Sequence, residues 1–241
     1  MANSFFQFKQ FIIHQDQCAM KVCTDASLFG AYTAVTIQHT TFNIQHILDI
    51  GAGTGLLSLM LAQKNDAVID AVELDTPACQ QAKTNFEKSP WKDRLHIFNE
   101  DISAFQSKKK YDLVICNPPF YDNDLRSPDD SKNKAKHSGT LNLAELIKIA
   151  FVQLTATGYF AVLLPAHRVN SFENLADVQG FYLWQKVMVR QTETHDHFRG
   201  ILIFSKEKKE EQYISMAIKN KEEKYTAEFT ALLKDYYLNL N

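Results

Sequence analysis

His46-Ile47-Leu48-Asp49-Ile50-Gly51-Ala52-Gly53-Thr54-Gly55-Leu56-Leu57-Ser58-Leu59-Met60-Leu61-Ala62 decides the fold. A short apolar run of strand character breaks into glycines and restarts as a longer apolar run of helical character. That succession opens a parallel α/β sheet. Glycine permits the tight turn and lets the backbone approach a ligand, and the helix start supplies N–H groups that lack helical partners. A dinucleotide fingerprint needs its third glycine one position later, in G-x-G-x-x-G register. Here the spacing is G-x-G-x-G and Leu56 occupies that later position, which turns the loop away from nicotinamide cofactors.

The next apolar run, Val68 to Val72, ends in Glu73. This carboxylate lies about 20 residues past the loop, where an acid at a strand tip can accept both hydroxyls of a ribose. A third run, Arg94 to Asn99, leads to Glu100-Asp101-Ile102. There Asp101 can accept a bond from an adenine amino group while Ile102 packs on the ring. Each acid alone reads as a solvated strand end; G-x-G-x-G, Glu and Asp on three successive strand ends are harder to dismiss. The fourth run, Tyr111 to Cys116, stops at Asn117-Pro118-Pro119-Phe120. Proline offers no ladder donor and restricts the residue before it, so the sheet must end there. What remains is a rigid turn with an amide, carbonyls and a flat ring. It is either a structural turn whose phenylalanine fills a gap, or a holder for a planar nitrogen group.

These residues resemble the class I S-adenosylmethionine-dependent methyltransferases, and among them the amino-methylating group marked by Asn-Pro-Pro-aromatic. The likeness extends to Phe8–Phe11, Cys18–Asp25, Ile47–Ala62, Asp70–Leu74, Ser89-Pro90-Trp91 and Tyr225–Leu238. Over nearly the whole chain it is similar to the bacterial valine-tRNA adenosine-37 N6-methyltransferase family. The glycine loop is generic to the superfamily; the other stretches narrow it. Two residues depart from the pattern: Cys23 stands where glycine is expected, and Phe120 replaces the commoner tyrosine, keeping the stacking face and losing a hydroxyl.

The resemblance implies S-adenosylmethionine as cofactor, with Gly51, Gly53 and Gly55 around its methionine part, Glu73 on its ribose and Asp49 near its amino group. Lys21, Thr24 and Asp25 match an amino-terminal motif that approaches the cofactor's carboxylate side. At the reactive end, the Asn117 side-chain oxygen and the Pro118 carbonyl would accept the two N–H bonds of adenine N6. Pro119 stiffens the turn and Phe120 stacks on the base. The implied partner is a tRNA anticodon arm, methylated by a monomer. One rival is an enzyme acting on a protein glutamine amide, which poses the same hydrogen-bonding problem, or on another nucleic-acid adenine. A non-catalytic binding module and a nicotinamide enzyme stand further off.

The 241 residues suffice for one α/β domain, 1–241, with residues 1–40 as an amino-terminal cap over the cofactor site. No run of about 18 apolar residues and no basic-then-apolar leader is present, so no membrane is expected and a cytoplasmic protein is. Cys18, Cys23, Cys79 and Cys116 form no C-x-x-C pair, which suggests neither metal nor disulfide. With a formal net charge of −2, any nucleic-acid surface must be local. Lys108-Lys109-Lys110 precedes the fourth strand, at the far end of the sheet, and reads as a solvated turn. The polar stretch Tyr121–Thr140 follows the Asn-Pro-Pro-Phe turn directly, and its Arg126, Lys132, Lys134 and Lys136 are the candidates for RNA contact.

Downstream, Leu141–Ala156 reads as a helix with Asn142 as a cap, Gly158–Pro165 as a buried strand and Ser171–Val178 as a helix. Phe181–Arg190 and Gly200–Ser205 read as strands, Tyr213–Ile218 is strand-like, and a last helix starts at Thr226. Lys206–Glu211 is a mixed-sign, solvated turn. The expected architecture is Rossmann-like and doubly wound, a mostly parallel seven-stranded sheet with an antiparallel hairpin at its edge.

Overall fold

The computed structural model describes residues 3–18, 20–40, 43–119 and 142–240. The chain starts with an antiparallel hairpin of β1 (Phe5–Gln7) and β2 (Ile12–His14), followed by helix α1 (Thr24–Gln38). Strand and helix then alternate: β3 (His46–Ile50), α2 (Leu56–Lys64), β4 (Val68–Val72), α3 (Thr76–Glu87), β5 (Leu95–Phe98) and β6 (Tyr111–Cys116). The later part carries α4 (Leu143–Gln153), β7 (Leu154–Pro165), α5 (Val169–Gln179), β8 (Tyr182–Thr192), β9 (His197–Ser205), β10 (Gln212–Lys219) and α6 (Ala227–Leu233).

Strands β3 to β10 form one sheet in the order β10-β8-β9-β7-β6-β3-β4-β5. β9 alone runs against its neighbours, because the short link 193–196 can only turn the chain back, whereas parallel strands need a longer crossover. Among the described residues the sheet has eight strands, not the expected seven. Tyr213–Ile218 is the reason: as β10 it pairs in parallel with β8, burying Met216 and Ile218. The antiparallel hairpin β8–β9 therefore lies inside the sheet, and β10 forms the edge.

Successive side chains along each strand feed two apolar layers, as a period of two requires. Ile47, Ile69, Leu113, Ile115 and Ile201 pack with α1, α2 and α6. Leu48, Ile50, Val114, Phe160 and Phe204 pack with α4 and α5. Helix α1 is itself part of a layer, with Leu28, Phe29, Ala31 and Ala34 fully buried. Asn142 caps its helix as read from the sequence, accepting from Glu145 N–H at 2.8 Å; Thr226, expected as the first residue of the last helix, is its cap and accepts from Phe229 N–H at 3.2 Å. The expected end of the fourth helix does not hold. The backbone becomes extended at Leu154, which pairs with Tyr111, so the strand claims residues 154–156.

Candidate active site

Parallel pairing brings four strand ends level. Cys116 pairs with Ile50, Ile50 with Val72, and Val72 with Phe98. The next residues, Asn117, Gly51, Glu73 and Asn99, therefore leave the sheet side by side. At about 4.8 Å per strand, the Asn117 and Glu73 positions are about 10 Å apart. The chain leaves β3 toward β4 and β5 on one side while β6 and β7 lie on the other, and ligands of open α/β sheets bind in the crevice outside such a switch point.

Backbone bonds hold the glycine turn against β4. Gly51 and Ala52 N–H donate to the Val72 carbonyl at 2.9 and 3.2 Å. Gly53 N–H donates to Glu73 Oε2 and Asp75 N–H to Glu73 Oε1, each at 2.8 Å. Each carboxylate oxygen retains a second lone pair, so Glu73 is oriented yet still able to accept hydroxyls. Gly55 caps α2 at φ +80°, and a Cβ there would stand 2.4 Å from Phe86 Cε1, so neither its backbone nor its neighbour admits a side chain.

Two buried acceptors mark the crevice. Asp49 is fully buried; its Oδ2 accepts from Ser58 Oγ at 2.6 Å, and its Oδ1 has no partner among the described residues. Burial raises its pKa from 3.8 to about 6 against the lowering effect of Ser58. Asn117 Oδ1 is likewise buried and unpartnered there. An orphaned buried acceptor is unfavourable unless something brings it a donor. Both atoms fit a ligand with N–H groups, and the glycine turn with Glu73 fits one with hydroxyls. Beyond Asn117, Pro118 is buried and Pro119 exposed.

The remaining predicted residues are spread around this row. Asp101 is exposed and accepts from Ser103 N–H at 2.8 Å, with Ile102 buried behind it. Lys21 is exposed and donates to the Asn3 carbonyl at 3.3 Å. Thr24 and Asp25 begin α1, and Asp25 Oδ2 accepts from Arg199 Nε at 2.7 Å on β9, beside the end of β7. Cys23 has extended backbone, φ −127° and ψ 158°, which any residue adopts, so no glycine is required there. Phe120, Arg126, Lys132, Lys134 and Lys136 lie outside the described residues. Of the lysine turn at the opposite end, Lys109 pairs with Asp70 at 2.9 Å and Lys110 donates to the Val152 carbonyl at 2.7 Å. Their work is structural.

Sequence reading missed Asn99 and Leu74. Asn99 Nδ2 donates to the Glu73 and Leu74 carbonyls at 2.9 and 3.0 Å, and its Oδ1 accepts from Thr76 at 2.8 Å. It thereby fixes the turn that carries Glu73. Leu74 leaves its apolar side chain half exposed beside that carboxylate. An apolar residue directly after the strand-end acid was the available signal.

Comparisons with known proteins bear on the fold and the family. The model of the family described as Methyltransferase small domain matches residues 25–185. A Cytophaga hutchinsonii protein named tRNA1(Val) (adenine(37)-N6)-methyltransferase is 40% identical, covering 100% of both chains. Among solved structures, an Agrobacterium tumefaciens protein described as a predicted O-methyltransferase superposes with a TM-score of 0.64 at 13% identity, covering 88% of this chain and 96% of that one. Magnesium protoporphyrin IX methyltransferase of Synechocystis, solved with bound SAM, superposes with a TM-score of 0.52 at 16% identity, covering 75% and 78%. These two likenesses speak to the fold alone. Whole-length identity and the family match together place the chain in the methyltransferase small domain family and, within it, in the tRNA1(Val) (adenine(37)-N6)-methyltransferase family.

Proposed function

We propose that this chain transfers a methyl group from S-adenosylmethionine to N6 of adenosine 37 in tRNA1(Val), acting as a cytoplasmic monomer on the anticodon arm. The observation that carries the reading is the level row of strand ends, which sets a buried Asn117 acceptor, without a partner among the described residues, beside the glycine turn and Glu73. S-adenosylmethionine supplies an electrophilic methyl group on a sulfonium.

Gly51, Gly53 and Gly55 let backbone line its methionine part, Glu73 accepts its ribose hydroxyls, and Asp49 Oδ1 faces its amino group. Asp101 and Ile102 serve its adenine, while Lys21, Thr24 and Asp25 close the carboxylate side. Adenine N6 is a weak nucleophile because its lone pair is delocalised into the ring. Accepting its two N–H bonds, at Asn117 Oδ1 and the Pro118 carbonyl, favours a pyramidal, electron-rich nitrogen held in line for attack. The nitrogen becomes acidic only as the methyl arrives, so no strong general base is needed. Phe120 stacks on the base, worth about 1–3 kcal/mol. The target base must leave its stack, which is easier in a loop than in a duplex. Arg126, Lys132, Lys134 and Lys136 meet the RNA backbone.

The test is incubation with methyl-labelled S-adenosylmethionine and tRNA unmodified at position 37, followed by nucleoside digestion. Labelled N6-methyladenosine in tRNA1(Val) is expected. Label recovered in a protein glutamine, with none in RNA, would replace the substrate and keep the site.

A further inference from the structure

Cys18, between β2 and α1, lies near the glycine turn, and buried side-chain amides hold the chain on either side of it. Asn85 on α3 is 1% exposed and is the hub. Its Oδ1 accepts from His14 N–H at 3.0 Å and its Nδ2 donates to the His14 carbonyl at 2.9 Å, so it pairs with the last residue of β2 as a neighbouring strand would. The second Nδ2 proton goes to the Thr54 carbonyl at 2.9 Å, between Gly53 and Gly55. Gly53 N–H in turn donates to Glu73. One turn earlier on the same helix face, buried Gln81 accepts from Gln17 N–H at 3.2 Å. Buried Gln15 accepts from Val22 N–H at 2.8 Å and donates to the Asn3 carbonyl at 3.0 Å.

The packing of α3 does not ask for this. Ala78, Ala82 and Phe86 bury its apolar face, and satisfying the backbone of one loop would need no bond to a second. The Asn85 amide spends one proton on each of two segments that are 40 residues apart in sequence. It therefore fixes their separation. Cys18 brings its sulfur to 3.9 Å from the position that a Cβ on Gly53 would take. The chain leaving β2 is thereby made one wall of the crevice.

We propose that Asn85 is a positioning residue for the methyl donor: it ties the end of β2, at His14, to the glycine turn at Thr54, so that the chain leaving β2 and the turn are preorganised as two walls of the cofactor site before binding. This rests on the reading of the glycine turn as the S-adenosylmethionine site. The full-length enzyme carrying Asn85→Ala should lose at least tenfold in S-adenosylmethionine affinity by calorimetry. Its KM for the donor should rise in proportion, with kcat at saturating donor and tRNA within about threefold of wild type. A merely structural role would instead lower the melting temperature and the active fraction and leave KM alone.

Asn85→Asp keeps the shape and the acceptor, so it serves if the alanine variant does not fold. Ionised, it offers no donor to the Thr54 and His14 carbonyls; protonated, it offers one O–H. Its KM for the donor should therefore fall toward wild type as pH is lowered, while wild-type KM does not follow that course. KM and affinity within twofold of wild type in whichever variant folds, with no such pH course in the aspartate form, would overturn the proposal. A wild-type enzyme that binds no S-adenosylmethionine would overturn the reading beneath it as well.

Discussion

At the residue scale the row of strand ends separates two tasks that activity alone would confuse. Asn117→Ala removes an acceptor assigned to the substrate amine and should lower methyl transfer by at least a hundredfold, leaving S-adenosylmethionine affinity within about threefold. Glu73→Ala should show the opposite emphasis, with donor affinity lost at least tenfold in calorimetry. Transfer by Asn117→Ala within a few-fold of wild type would remove the amide from the chemistry. Asp49 adds a pH signature. Burial raises its pKa from 3.8 to about 6, so the native state holds the proton more tightly than the unfolded chain does. Its contribution to stability is complete below about pH 4 and is lost as pH rises through about 6. Asn at this position cannot titrate, so the melting temperature of Asp49→Asn minus that of wild type should grow between pH 4 and pH 7. A constant difference over that window would show that Asp49 does not titrate there. Asn117 was legible as a strand end stopped by two prolines and Glu73 as an acid at a strand tip about 20 residues past the glycine loop, whereas Asp49 came only from the family resemblance. Asn85 and Asn99 were not legible, since their roles consist of bonds to backbone brought near by folding, and an asparagine inside a helix or after a strand carries no local mark of that.

At the scale of elements, the glycine turn was readable down to the residue because a strand, a break and a helix must follow each other there. What the sequence did not reveal is that its glycines are needed for different reasons. Gly51 has φ +71° and open space for 4 Å around the point where a Cβ would stand, whereas Gly55 combines φ +80° with the Phe86 ring at 2.4 Å. Alanine at position 51 meets only the left-handed backbone, about 1–2 kcal/mol. Alanine at position 55 adds overpacking worth about 1–3 kcal/mol. Urea unfolding should rank Gly55→Ala below Gly51→Ala by at least about 1 kcal/mol; equal losses would mean that Phe86 yields freely. The boundary of α4 with β7 was misread for the converse reason. Apolar positions 150, 151 and 154 fit a helix, and only the distant pairing of Leu154 with Tyr111 makes the last of them a strand. The same blindness hid the place of β10, whose pattern gives a strand but not its partner.

At the scale of the whole molecule, the two ends of the chain clasp each other on the helical layer that backs the glycine turn. Phe8 bridges to Tyr237, Lys9 N–H donates to the Tyr236 carbonyl at 2.8 Å, and buried Tyr236 donates its hydroxyl to the Met60 carbonyl at 2.9 Å on α2. The molecule as a whole gives a polyanion little help, with a formal net charge of −2. Local cations are then the expected source of affinity, and Lys132, Lys134 and Lys136 lie in the polar stretch that follows the Asn-Pro-Pro-Phe turn in sequence. Each phosphate contact on a single strand releases counterions and adds about −0.7 to the slope of log affinity against log salt. Changing all three lysines to glutamate should raise KM for tRNA at least tenfold at low salt, flatten that slope by about 2, and leave S-adenosylmethionine affinity unaltered. A slope equal to that of wild type would move the RNA contact to another surface, and a parallel loss of donor affinity would show that these lysines support the cofactor side instead.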